Sequence, residues 1–133
     1  MKIDGIFLII FFGLVLRLIL AFLPGFSIDT DAWFAWALRL NETGLGNFYS
    51  QDVWTNYTPG YLYILKLLGS VRNFFNLGSN TFYYLLKLPA ILSEVILTFI
   101  IYKVTLPKSK KLAKLLATFI IFNPALIFNS SIW

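Results

Sequence analysis

The sequence predicts an all-α, polytopic membrane protein with about three transmembrane helices and interfacial amphipathic helices in a large first outer loop. Three observations carry that reading. Of the 133 residues, 59% are hydrophobic and only 13% charged, against about 45–50% and about 25% in soluble domains. Mean hydropathy is +0.77, and the apolar residues gather into runs near the roughly 17–25 residues that span a bilayer. Finally, Lys103, Lys108, Lys110, Lys111 and Lys114 crowd around one short connection between apolar runs. That clustering makes the net charge of +5 a topology signal rather than a nucleic-acid surface, and no nucleic-acid partner is expected.

The first element is "IFLIIFFGLVLRLILAFL", residues 6–23, an apolar run with one charge, Arg17. A signal-peptide core has about 7–15 apolar residues and a small-residue cleavage site. This run is longer and leads into "PGFSID", so it is expected to stay as a span. Residues 24–80 change character, with Gly44, Gly46, Pro59, Gly60, Gly69 and Gly78 dividing the chain into shorter pieces. Within them "DAWFAWALRLNE" and "GYLYILKLLGSVRNFF" are amphipathic at the helical period. Both are placed flat at the membrane interface, where Trp and Tyr are favoured; a tilted span is the alternative for the second. Residues 81–106, "TFYYLLKLPAILSEVILTFIIYKVTL", form the second span, with Glu94 inside it. Residues 107–111 make a short basic turn, and 112–133, "LAKLLATFIIFNPALIFNSSIW", form the third span. Asn123 and Pro124 in its middle predict a kink.

The lysine-rich turn is expected in the cytoplasm. The N-terminus then lies in the cytoplasm and the 24–80 loop outside it, in a plasma or inner membrane. A third span that ends on Trp133 with no polar tail suggests the N-terminal part of a larger protein. The whole is read as a single membrane domain with membrane lipid as its first partner.

The chain has no cysteine and no histidine. Disulfides, thiolate zinc sites, cysteine nucleophiles and histidine-based catalysis are thereby excluded, and acid–base chemistry falls to Asp, Glu, Lys, Arg or Tyr. Asp29 and Asp31 in "SIDTDAWFAWALRL" are the first candidates. Aspartate is a favoured N-cap, and acids in a first turn complement the helix dipole; this accounts for Asp29 well and for Asp31 adequately. At 100° per residue, Asp31, Ala35, Leu38 and Glu42 share one face, with Trp33, Trp36 and Leu40 opposite. The Trp face is expected in the membrane interface and Asp31 in water or a protein cavity. A metal-binding D-x-D pair is the competing reading, but that motif is frequent by chance and normally belongs to an α/β domain. No metal or cofactor is assigned.

"DVWTNYTPGYLYIL", Asp52 to Leu65, surrounds a Pro-Gly turn with aromatic and hydroxyl residues. It reads either as an interfacial aromatic belt or as a sugar-binding lip in which rings stack on pyranose faces while Asn56, Tyr57 and Thr58 supply hydrogen bonds. Arg17 and Glu94 lie at depths where charge is costly, about 2.5–3.5 kcal/mol on insertion scales. Arg17 either snorkels outward or meets a lipid phosphate. Glu94 is expected to have a structural partner, one from outside this sequence being an option. Arg39, Lys66, Arg72 and Lys87 are basic residues of the outer side, fit for anionic headgroups or for neutralising a phosphate leaving group; the sequence prefers none of them.

Taken in order, these pieces resemble the N-terminal third of a GT-C-type membrane glycosyltransferase. That superfamily includes protein O-mannosyltransferases, aminoarabinose transferases acting on lipid A, and the endoplasmic dolichyl-phosphate-sugar enzymes. The resemblance runs through "IDTDAWFAWALRL", then "YTPGYLYIL", where related enzymes often have two prolines, then "KLPAILSEVILTFIIYKV" and "NPALIFNSSIW". It implies inverting transfer of a hexose-like sugar from a polyprenyl-phosphate donor to a hydroxyl acceptor on the extracytoplasmic side. It makes Asp31 the general base and Asp29 its support, with Arg39, Trp54, Tyr57, Pro59, Tyr61 and Arg17 as substrate-binding candidates. A lipid-linked donor is consistent with the lack of a nucleotide-binding loop. The family has many more spans and often binds the donor phosphate through later loops, so these 133 residues alone are not expected to complete an active site. A non-catalytic membrane scaffold or accessory subunit, using the outer segment as a partner surface, is the alternative.

Overall fold

A computed structural model describes residues 5–50 and 52–133, and among these the chain is entirely helical with no strand. The helices are α1 (Gly5–Leu20), α2 (Ser27–Thr43), α3 (Pro59–Phe75), α4 (Ser79–Thr105), α5 (Lys110–Ile121) and α6 (Pro124–Ile127), followed by a π-helical turn at Phe128–Ile132. They form two compact units. One comprises residues 1–25 with 87–133, the other Phe26–Leu86.

In the Phe26–Leu86 unit, α2 begins at Ser27, four residues ahead of the sequence expectation. Pro24 and Gly25 break the chain, Phe26 takes the extended N-cap conformation without a side-chain cap bond, and Asp29 falls inside the first turn. The capping role expected of Asp29 is therefore corrected to a place in the first turn, where its charge complements the helix dipole. Gly44, at φ 76, ends the helix. Pro59 occupies the first turn of α3, where its missing N–H costs nothing. Asn76 closes that helix in the left-handed conformation.

α2 and α3 pack on each other as a pair. The shared core is Trp36, Ala37, Leu40, Leu62, Leu65 and Leu68, joined by Phe48 from the connecting loop and by Phe82 and Leu86 from the start of α4. Gly69, expected to interrupt the second amphipathic stretch, sits within a continuous helix. A Cβ there would lie 2.7 Å from the Ala37 carbonyl and fall on the Asn41 amide. The glycine is what lets the two backbones approach. The Trp face of α2 is expected in the membrane interface; Trp36 is instead buried against α3. The physical reason is that α3 offers an equally apolar face, and mutual burial satisfies both stripes.

In the other unit, α1 packs on α5, with Ile6, Tyr102, Ala113 and Ala117 buried together. α4 is 27 residues long and is, among the described residues, the one helix long and apolar enough, by length and composition, to cross a membrane. Leu92, Ile96, Ile100 and Val104, spaced by four, form an exposed apolar stripe along it. α5 with the Pro124–Ile132 segment meets the same test only if taken as one span bent by 40°. The bend falls where Asn123 and Pro124 predicted it, and the Asn123 side chain accepts from the N–H groups of Ala125 and Leu126. α1 is apolar but has 16 residues, about 24 Å at 1.5 Å per residue, short of the roughly 30 Å hydrocarbon thickness. Of the three expected spans, one is thus long enough as a single helix, and a second if the bent pair counts as one.

Candidate functional site

Asp31 lies one turn into α2 with its side chain exposed, as are Ala35 and Glu42, while Trp36, Ala37 and Leu40 are buried. Periodicity alone put these residues on opposite faces, and packing of the apolar face on α3 fixes which one meets solvent. The Tyr83 hydroxyl donates to Asp31 Oδ1 at 2.7 Å. No hydrogen bond from the described residues falls on Oδ2. Tyr83 comes from the first turns of α4, 52 residues away in sequence, and nothing in its local pattern marks it beyond an aromatic helix start.

Behind Tyr83 is a small aromatic group. Phe34, one turn along α2 from Asp31, lies 5.1 Å from the Tyr83 ring and 5.2 Å from Phe82. The Arg72 guanidinium covers both phenylalanines, at 5.4 Å from Phe34 and 5.7 Å from Phe82. Its Nε is buried with no hydrogen-bond partner. This cluster escaped sequence reading because it is assembled from three helices.

The aromatic lip expected at Asp52–Leu65 forms a second group. Tyr57 stands 5.3 Å from Trp36, 5.4 Å from Tyr61 and 6.3 Å from Trp33. Trp54 is 70% exposed; its ring lies 6.2 Å from Trp36, and its carbonyl accepts from Trp36 Nε1 at 3.1 Å. Tyr49 donates to the Tyr57 carbonyl at 3.0 Å, fixing the loop from the other side. Burial, with Tyr57 beside it, pushes the Tyr61 phenol up to about 12. Pro59 is exposed at the start of α3. Arg39 is turned to its own loop, donating from Nε to the Phe48 carbonyl at 3.4 Å and from Nη2 to Ser50 Oγ at 2.8 Å. The structure thus brings Trp54, Tyr57 and Tyr61 together with Trp33 and Trp36, pairs Asp31 with Tyr83, and bonds Arg39 of α2 to the connecting loop. Asp29 is half-buried in the first turn of α2.

Arg17 belongs to the other unit and is fully buried. Its Nε donates to Glu94 Oε2 at 2.9 Å, and its Nη1 to the carbonyls of Gly13, at 3.4 Å, and Ile121. The Ile121 carbonyl lies at the break between α5 and α6, where the regular helical acceptor pattern stops. Ser130 also donates to Glu94 Oε2, at 2.9 Å. Glu94 therefore finds its partner within this chain. Arg17 sits in a protein network rather than at a solvent-facing lipid contact. Lys87 is also buried. Its ammonium donates to the carbonyls of Ala21, Leu23 and Ser131 at 3.2, 2.7 and 3.1 Å. It closes the carbonyl end of α1 and part of the π-helical turn, a role for cations at helix C-termini.

Among the described residues no group of three or more His, Cys, Asp or Glu side chains could hold a metal ion. Compared with known protein families, with curated proteins and with solved structures, the chain matches none of them.

Proposed function

We propose that this chain is the N-terminal portion of a membrane glycosyltransferase of the GT-C type, with Asp31 as general base. The observation that carries the reading is the Asp31 carboxylate: solvent-facing, one oxygen held by Tyr83, at the start of a helix whose opposite side is packed away. The order of motifs resembling the GT-C family adds to it. In the proposed reaction an acceptor hydroxyl attacks the anomeric carbon of a polyprenyl-phosphate sugar from the face opposite the phosphate. The new C–O bond forms as the bond from the anomeric carbon to the phosphate oxygen breaks. The electron pair leaves with the lipid phosphate, and the hydroxyl proton passes to Asp31 Oδ2. Asp29 supports the first turn. The grouped rings of Trp54, Tyr57 and Tyr61 offer faces for a sugar, and Pro59 sets their turn.

The membrane arrangement is part of the proposal. Residues 6–23, 81–106 and 112–133 cross a plasma or inner membrane, with the N-terminus in the cytoplasm and residues 24–80 outside. The apolar stripe of Leu92, Ile96, Ile100 and Val104 supports a lipid-facing α4, and Lys108, Lys110 and Lys111 near its far end support the orientation.

The test is sugar transfer by the full-length enzyme that this reading implies, in isolated membranes, using labelled polyprenyl-phosphate hexoses. Asp31→Asn should lower transfer by about 10²–10⁴-fold, the usual weight of general-base catalysis, at unchanged protein level. Near-normal transfer by that variant removes the base assignment. Failure of the unmodified protein to support transfer from any such donor favours the scaffold reading.

A further inference from the structure

We propose that Tyr83 is a positioning residue for Asp31, its ring seated on Phe34 and its hydroxyl holding the carboxylate in one orientation. The consequence for turnover rests on the glycosyltransferase reading; the grip on the carboxylate does not.

An exposed aspartate on a helix turns about two side-chain bonds, and its oxygens have no fixed place until something holds them. Asp31 is exposed one turn into α2. Tyr83 restrains it from another helix. The Tyr83 hydroxyl donates to Asp31 Oδ1 at 2.7 Å. The Tyr83 ring lies 5.1 Å from that of Phe34, with 32° between the planes. Asp31 and Phe34 are three residues apart and are therefore neighbours on one face of α2. One side chain thus touches α2 at two points, one polar and one apolar. Two contacts fix a direction where one would leave a pivot.

The seat is itself held. Phe34 meets Phe82 edge-on, at 5.2 Å and 78°. Phe82 precedes Tyr83 in α4 and is fully buried in the core that α2 and α3 share. The Arg72 guanidinium lies over both phenylalanine rings. Side chains of three helices converge behind the half-buried Tyr83, while its hydroxyl reaches an exposed carboxylate. Phenylalanine at position 83 would serve the ring packing equally well. The hydroxyl is used on Asp31.

The chemistry of the donor suits a base. A phenol O–H is neutral and gives one hydrogen bond, so it occupies one carboxylate oxygen, whereas a guanidinium fork in its place would take both. Asp31 is held, and no hydrogen bond from the described residues falls on its Oδ2. A reacting group oriented before the substrate arrives has no orientational freedom left to lose in the transition state.

The experiment has two arms. In the purified chain in micelles, the side-chain carboxyl carbon of Asp31 is followed by carbon NMR. Tyr83→Phe, which keeps the ring and its seat on Phe34, should shift that signal, and Tyr63→Phe, at an exposed tyrosine of α3, should not. An unmoved signal in folded Tyr83→Phe overturns the proposal. The second arm measures sugar transfer by the full-length enzyme that the glycosyltransferase reading implies. There Tyr83→Phe should lower kcat by about tenfold, the scale of one neutral hydrogen bond, with KM and melting temperature unchanged. Added to Asp31→Asn it should cost nothing more, because a positioning residue acts through the group it positions. A further tenfold loss in that background, or a loss confined to KM, overturns the proposal. If Asp31→Asn abolishes transfer while Tyr83→Phe leaves kcat intact, the base stands and the positioning role falls. If Asp31→Asn transfers normally, the base assignment has failed and the positioning role goes with it.

Discussion

The two units place charge differently. The unit built from residues 1–25 and 87–133 buries Arg17, Lys87 and Glu94 among its helices, and its exposed charges, Lys103, Lys108, Lys110 and Lys111, gather around the turn between α4 and α5. The Phe26–Leu86 unit has an aromatic and aliphatic core, and keeps Asp31, Arg39 and Arg72 at its margins. The same residue types are therefore structural in one and available in the other. A buried ionic group must be satisfied by the chain itself, because no water reaches it. That satisfaction is incomplete in each unit, since Arg17 Nη2 and Arg72 Nε are both buried without a hydrogen-bond partner, whereas the exposed Asp31 keeps one carboxylate oxygen toward solvent.

Breaking the inward-facing network should have the largest effect. Glu94→Ala removes the acceptor of both Arg17 Nε and Ser130 Oγ and leaves a buried cation without its counter-charge. Loss of one partner of such a pair costs about 3–5 kcal/mol, measured here as loss of thermal stability in detergent. The double replacement of Arg17 by Met and Glu94 by Leu should recover most of it, since both desolvated charges go together. In a Trp133→Phe background the remaining tryptophans all lie in the Phe26–Leu86 unit. If their emission follows the Glu94→Ala transition at every temperature, the two units unfold as one and the contrast between them is not energetic.

A smaller effect separates the two helix crossings. Gly69→Ala puts a methyl against the Ala37 carbonyl, 2.7 Å away, on backbone that can yield only if α2 and α3 separate. Overpacking of this kind costs about 1–3 kcal/mol. Gly13→Ala meets the Ile121 side chain instead. Trimming that neighbour with Ile121→Ala should restore stability to the Gly13 variant. Trimming Asn41 should not restore the Gly69 variant, since the carbonyl remains. Equal rescue in both places would mean that the close approach at Gly69 is adjustable.

These contrasts also mark what could be read from sequence. Helical period put Asp31 and Trp36 on opposite faces, Pro59 marked the start of α3, and Asn123 with Pro124 marked the break before α6. Each depends on residues within a turn or two of one another. Arg17 with Glu94 and Asp31 with Tyr83 are pairs 77 and 52 residues apart, and no local pattern connects them. Gly69 looked like an interruption because a helical glycine is usually unfavourable; only the crossing with α2 shows why it is there. The start of α2 at Ser27 was missed because Asp29 is a better cap by type than Phe26.

The smallest expected effect is a pH dependence confined to the Phe26–Leu86 unit. Tyr61 is held neutral by burial and by the neighbouring Tyr57, with its phenol pushed up to about 12 from an ordinary 10.0. Below pH 10 the phenol is protonated in both folded and unfolded chains, so it contributes no pH dependence there. Between pH 10 and about 12 the unfolded chain has lost the proton that the folded chain still binds. The folded state is then disfavoured progressively as pH rises. Tyr61 is partly exposed, so the loss is on the order of 1 kcal/mol after solvent screening. Absorbance titration of Tyr61→Phe against the unmodified chain isolates its ionisation, and melting at pH 9 and pH 11 measures the linked stability. Tyr61→Phe should flatten the difference between those two melts. If it leaves the difference unchanged, the aromatic group of Trp33, Trp36, Tyr57 and Tyr61 is open enough to ionise in place, and the aromatic lip is a looser surface than its ring contacts indicate.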